Sequence, residues 1–269
     1  MSSPISREDF NQKFMSVEKS LKKLLNENIF EKEKKHPIRQ GFVNSATYFT
    51  NGQYDISIYE LMKMMLLERD LKQIKEYDET EFQKFKKWLT KTVKTPDDYF
   101  GVRFEIEVFT LLVQGKCTEF IKREKPDFEI TEFNSTVYVE CTTKHLGVVR
   151  DGDYLDKITD AIEDKASKDY SNHKTALFLD ITNLLHHRQQ NKNSENMDDE
   201  LEEHVRTLES SKSFGSILLF FMAHPKKYRL LPVFYRIDSE KINSELLKFL
   251  DKYFPHDPQD MNLIFPPRT

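Results

Sequence analysis

Between Phe10 and Leu24 the apolar residues Phe10, Phe14, Val17, Leu21 and Leu24 return at spacings of four and three. That period gathers them on one stripe of an α-helix. Ser6 and Asp9 stand ahead of the stripe as a capping box. The same period recurs over ISIYELMKMMLLERDLKQI and ETEFQKFKKWLTKTV. Thr95–Pro96–Asp97 then opens a fourth helix that closes near Gly115. The intervening EKEKKHPIRQGFVNSATYFTNGQ is expected to interrupt the helices, because Pro37, Gly41 and Asn51–Gly52 break the period.

Past Gly115 the pattern shortens. CTEFIK, DFEIT and TVYVECT have strand composition, and Asn134–Ser135 between the last two predicts a hairpin. DYLDKITDAIEDKASKDY returns to a helical period, with Leu155, Ile158 and Ile162 on one face. TALFLDIT is an apolar strand, HHRQQNKNSENM a polar loop and DDELEEHVRTLESS a helix. The strands SILLFFMA and RLLPVFYRI and the helix SEKINSELLKFLDKYF follow. A helix between two strands favours parallel packing of at least part of the sheet. The order predicts an α/β fold: a helical extension over 1–96, then an α/β domain over 97–269 with a strand and helix added at its end. The helical extension is expected to bind a protein partner, to dimerise or to recognise substrate.

Composition narrows the class. With 38% hydrophobic and 32% charged residues the chain is expected to be soluble and globular. Two cysteines, Cys117 and Cys141, make no disulfide framework and imply a reducing, cytoplasmic setting. They also lack the spacing of a zinc site. MSSPISREDF has no secretory pattern, and no apolar run approaches the ~20 residues that span a bilayer, so no membrane association is expected. The formal net charge is −4, divided as 18 basic and 16 acidic residues over 1–100 and 23 and 29 over the rest. Such a chain has no global field for coating nucleic acid, but it can still carry a local acidic metal site. Seven glycines and no Gly-rich phosphate loop argue against a nucleotide-driven motor.

The candidate chemistry lies in KPDFEITEFNSTVYVECTTKH, residues 125–145. Alternation along a strand puts Glu140, Thr142 and Lys144 on one face, with Val139 and Cys141 on the core face. Asp127 stands where the neighbouring strand begins. Two carboxylates on adjacent strands with a lysine close by suit a divalent cation that also meets a phosphate. PDFEI…VYVECTTK resembles the PD-(D/E)XK nuclease superfamily, whose members share the restriction-endonuclease-like fold. Pro126–Asp127 and Glu140 match that signature; Thr142 stands at the strict lysine position.

The resemblance spans roughly residues 99–183. It implies a core of helix, three strands, helix and strand, with helices flanking a mixed sheet. It implies Mg²⁺ or Mn²⁺ held by Glu105, Asp127, Glu140 and the carbonyl of Cys141, with Glu140 and a migrated lysine in catalysis. Lys144 has the right strand parity. Lys165 lies seven residues after Ile158 and three after Ile162, in phase with a buried stripe, though a lysine there can also snorkel to water. Glu105 shares a helical face with Val108, Phe109 and Leu112, which suits a ligand as well as a first-turn glutamate favoured by the helix dipole. The implied activity is hydrolysis of DNA phosphodiesters, with RNA as a further substrate class, in a setting such as restriction or phage defence. The alternative is a catalytically silent module that binds nucleic acid or a protein.

Overall fold

The computed structural model describes residues 5–31, 35–93, 95–132, 134–143, 153–182, 184, 197–226 and 229–256. The fold is α/β and mostly helical. Two compact units divide it: residues 1–110 with 223–231, and residues 111–222 with 232–269. No helix among the described residues is long and apolar enough to cross a membrane.

The first unit is built from α1 (Arg7–Leu24), α2 (Glu27–Glu31), α3 (Pro37–Thr50), α4 (Tyr54–Tyr77), α5 (Glu79–Lys87), a π turn over Trp88–Thr92, and most of α6 (Pro96–Gln114). Ser6 caps α1 by accepting the Asp9 N–H. The stretch expected to break the helices instead forms α3. Pro37 sits in its first turn, where a missing N–H costs nothing, and the His36 ring caps the helix by accepting the Ile38 N–H. Gly41 is a close-packing position rather than a breaker: a Cβ there would meet the Met64 Cε at 3.0 Å. The Asn51–Gly52 turn does interrupt, between α3 and α4, with Gly52 at φ 76°.

The break between the units falls inside α6, whereas the change of texture along the sequence comes at Pro96. Side-chain contacts explain the difference. Arg103 donates to the buried Asp70, and Phe109 packs edge-on against Phe85 and Tyr77, so this length of α6 belongs with the helices.

The second unit carries β1 (Phe120–Lys122), β2 (Phe128–Glu132), β3 (Ser135–Thr143), α7 (Asp153–Ala166), β4 (Thr175–Asp180), α8 (Met197–Thr207), most of β5 (Ser216–Lys226), most of β6 (Arg229–Asp238) and α9 (Ser244–Tyr253). The described strands form one sheet in the order β1-β2-β3-β4-β5-β6. The sheet is mixed: β1–β2 and β2–β3 pair antiparallel, β3–β4 and β4–β5 parallel. The β2–β3 hairpin closes at Asn134, which takes φ 60°. That conformation is tolerated by asparagine.

Helices cover both faces of this sheet. On one, Leu177, Leu179, Ile217 and Leu219 pack against Ile158, Ala161 and Ile162 of α7 and Leu201 and Val205 of α8. On the other, Phe178 and Phe220 join Phe234 and Phe254 in an aromatic layer, with Phe178 and Phe254 ring centroids 4.9 Å apart. Helix α9 closes that layer with Leu246, Phe249, Leu250 and Tyr253, all buried and in helical phase. Each such side chain contributes about 1.5–3 kcal/mol by leaving water.

Candidate active site

Strand β3 runs through the middle of the second unit's sheet, so both of its faces are covered. Val139 and Cys141 point into the core as alternation requires. Glu140 points the other way. It pairs in register with Leu177 of β4, and Leu177 belongs to the face packed by α7. Glu140 is 2% exposed. A carboxylate this deep needs partners.

Helix α7 supplies the first. Lys165, in its last turn, puts Nζ 2.5 Å from Glu140 Oε1. Its stem lies in phase with the fully buried Ile158 and Ile162. The ammonium does not snorkel; it turns onto the acid. The turn after α7 supplies the second partner, Tyr170, whose hydroxyl donates to the same Oε1 at 2.8 Å. Backbone acceptors hold that turn: Ser171 Oγ donates to the Lys165 carbonyl and Thr175 Oγ1 to the Tyr170 carbonyl. Glu140 Oε2 is buried with no hydrogen-bond partner among the described residues.

Asp127 precedes β2, directly after the cis peptide Lys125–Pro126. Phe128 pairs with Val139, so the next step of the register sets Asp127 opposite Glu140. Its Oδ2 accepts the Cys141 N–H at 2.7 Å and so continues the hydrogen-bond ladder beyond the end of β2. Its Oδ1 accepts from Lys122 Nζ at 2.9 Å. Lys122 also donates to the Arg123 carbonyl and lies over the Phe128 ring. Both members of the Lys122–Asp127 pair are buried, with side chains 3% and 9% exposed.

Lys122 pairs with Asp127 from the Phe128 and Val139 face and Lys165 with Glu140 from the α7 face, so each carboxylate has one ammonium and the four formal charges cancel. Burial, together with the negative charge of Asp127, raises the pKa of Glu140 above the ordinary carboxylate value, although Lys165 and Tyr170 oppose the rise. Burial disfavours the Lys165 ammonium, but the hydrogen bond and charge of Glu140 outweigh it and hold its pKa above the ordinary lysine value. Burial and the bond to Glu140 raise that of Tyr170 as well.

The structure thus brings together Asp127, Glu140, Lys165 and the N–H of Cys141. Glu105 is half-buried on α6 and belongs to the first unit, whereas Asp127 and Glu140 belong to the second. Among the described residues no group of three or more His, Cys, Asp and Glu side chains could hold a metal ion. Lys144, His145 and His186–His187–Arg188 lie outside the described residues. Asp180 caps the end of β4 by accepting the Thr182 N–H.

Two participants were absent from the sequence reading. Lys122 carried a signal: in CTEFIK strand alternation must bury either Ile121 or Lys122, and the structure buries the lysine at 7% and leaves the isoleucine 52% exposed. Tyr170 carried none, since it lies beyond the helix in a turn shaped by tertiary contacts. Compared with known protein families, curated proteins and solved structures, the chain matches none.

Proposed function

We propose that the second unit is a nuclease with a restriction-endonuclease-like core, which hydrolyses DNA phosphodiester bonds with Mg²⁺ or Mn²⁺. One observation carries this reading. Glu140 is buried opposite Asp127, one of its oxygens is held by Lys165 and Tyr170, and the other has no hydrogen-bond partner among the described residues. An acid with no ligand to meet would be cheaper as a leucine on this face.

The donor set fits a divalent cation. Mg²⁺ takes one or two carboxylates and completes its shell with water and phosphate oxygens, which does not require a third protein acid. Glu140 Oε2 is the open donor, and Asp127 is its neighbour across the hairpin. When bound, the ion would polarise the phosphoryl group and acidify the attacking water. The remaining tasks fall to this chain's side chains. Lys165 holds a charge at neutral pH and can donate to a phosphate oxygen as negative charge develops there. Tyr170, kept protonated, offers a neutral second donor beside it. Asp127, tied to the Cys141 N–H, keeps the acidic pair in register with the sheet.

A cleavage assay on single- and double-stranded DNA, with RNA in parallel, tests this at millimolar Mn²⁺. Glu140→Gln and Lys165→Met should each lower the rate at least about 100-fold, the scale of losing a transition-state contact. Cleavage that survives in both folded variants refutes the assignment.

A second reading is favoured by a different observation. Both Asp127 oxygens are engaged and the four charges balance without a metal. A silent module that binds nucleic acid or protein through this fold would look the same. It predicts no cleavage by wild type and no stabilisation by Mn²⁺.

A further inference from the structure

We propose that the exposed face of α5, with the π turn that continues it, is a binding surface for the phosphate backbone of nucleic acid. The surface belongs to the first unit, and the inference stands whether or not the second unit cleaves.

From Phe82 to Pro96 the chain carries five lysines and no acid. The whole chain is acidic, at −4, so this stretch is a local reversal of charge. A helix C-terminus favours a lysine or two through its dipole. That does not account for the loss of every acid over so long a stretch. Packing fixes which way the lysines point. Phe82, Phe85, Leu89 and Val93 are buried, at spacings of three and four that put them on one side of the helix. Lys84, Lys87 and Lys91 recur at the same spacings on the other side and are exposed, and Lys86 flanks them half-buried. Lys84 is engaged, with its Nζ 2.6 Å from Glu81. Lys86, Lys87 and Lys91 make no ion pair with an acid among the described residues.

The backbone under these lysines is fixed. Val93 donates to the Trp88 carbonyl, one residue further back than in an α-helix, and the Leu89 carbonyl accepts instead from the buried His36 ring at 2.8 Å. Turns of this kind gather at functional sites. The chemistry of the face selects its partner. Trp88 is half-buried edge-on against Phe85, and no exposed apolar side chain of the described segment is free to enter a lipid surface. A row of unpaired ammoniums on a fixed helix suits a row of phosphates, each contact releasing counterions and reading no sequence.

Anisotropy titration of the full chain tests this, against fluorescein-labelled DNA of about 20 nucleotides, single-stranded and duplex, with RNA in parallel. EDTA is present throughout, so binding is read without metal-dependent hydrolysis. The variant Lys86→Gln/Lys87→Gln/Lys91→Gln, checked for folding by circular dichroism, should weaken Kd about tenfold or more at about 100 mM salt. It should also lower the slope of log Kd against log salt by about 2–3, equally for two unrelated sequences. The variant Lys13→Gln/Lys19→Gln/Lys23→Gln removes the same charge from exposed positions on α1 and should bind as wild type does. On wild type alone, lysine acylation read by mass spectrometry should slow at Lys87 and Lys91 when the DNA is bound and stay unchanged at Lys19 and Lys23.

Loss confined to the α5 variant, with that protection, supports the proposal. Equal loss in both variants, or no binding of any probe by wild type, overturns it. Capture by phosphatidylserine–phosphatidylcholine vesicles that depends on these lysines, with nucleic-acid binding untouched by their loss, also overturns it. The nuclease reading fails separately, by absence of cleavage with Mn²⁺ in a wild type that still binds.

Discussion

Replacing Lys165 by methionine isolates the electrostatics of the site. The substitution keeps the stem in phase with Ile158 and Ile162 and deletes the ammonium, so among the described residues Glu140, with its side chain 3% exposed, keeps Tyr170 as its donor to Oε1. Breaking a fully buried ion pair from one side costs about 3–5 kcal/mol. Lys165 is 20% exposed, so solvent screening lowers the expectation to about 2–4 kcal/mol at pH 7.5. That corresponds to a fall in Tm of roughly 5–15 °C. The loss should depend on pH in a defined direction. Glu140 has a folded pKa already raised by burial and by Asp127, and losing Lys165 raises it further. A group with a raised folded pKa contributes stability that is present at low pH and is lost as pH rises through the folded value. Protonation of Glu140 on acidification should therefore shrink the deficit, toward the ~1 kcal/mol of one lost hydrogen bond. The assay is urea denaturation followed by far-ultraviolet circular dichroism, at pH 7.5 and pH 5. The single tryptophan, Trp88, lies in the first unit, so its fluorescence monitors that unit rather than the site. The double variant Lys165→Met/Glu140→Gln removes the stranded charge and should recover about 1–3 kcal/mol relative to Lys165→Met. Wild-type stability of Lys165→Met at pH 7.5, or a double variant no better than the single, would refute the reasoning.

Two glycines should respond differently to alanine. In Gly215→Ala the new Cβ would lie 2.3 Å from the His173 carbonyl oxygen, which is backbone, so a loss of about 3 kcal/mol or more is expected by thermal unfolding. In Gly41→Ala the nearest atoms to the Cβ are the flexible end of Met64, and the gain in helix propensity offsets the contact, so stability should stay within about 1 kcal/mol of wild type. Asp238→Asn should destabilise at pH 7 by about 1–3 kcal/mol, because the buried Arg236 loses a bidentate partner. Burial alone would raise the Asp238 pKa, but Arg236 overrides it and lowers it; the contribution is thus present above the ordinary aspartate value, and the gap to wild type should close as pH falls below that value and through the lowered one. The Cys117 thiol, pushed up to about 11 by burial, should resist Ellman's reagent at pH 8 until the chain unfolds.

Local sequence was sufficient for several of these features, because they depend on neighbours in the chain. The period of Phe10 to Leu24 and the Ser6 cap define α1. Asn134 between two alternating runs defines the β2–β3 hairpin, and its register sets Asp127 opposite Glu140. The phase of Lys165 against Ile158 and Ile162 points its stem at the sheet. Other features depend on partners far along the chain, and period and parity say nothing of those. Gly41 reads as a breaker until Met64 is found packed on it. Pro96 reads as a boundary until Arg103 and Phe109 are found bound to the helices before it. Strand parity admits Lys122 to the interior as readily as Ile121; only the carboxylate of Asp127, placed at the end of β2 by the fold, makes the lysine the cheaper residue to bury. Periodicity decides which face a side chain occupies, and tertiary structure decides which charge it meets there.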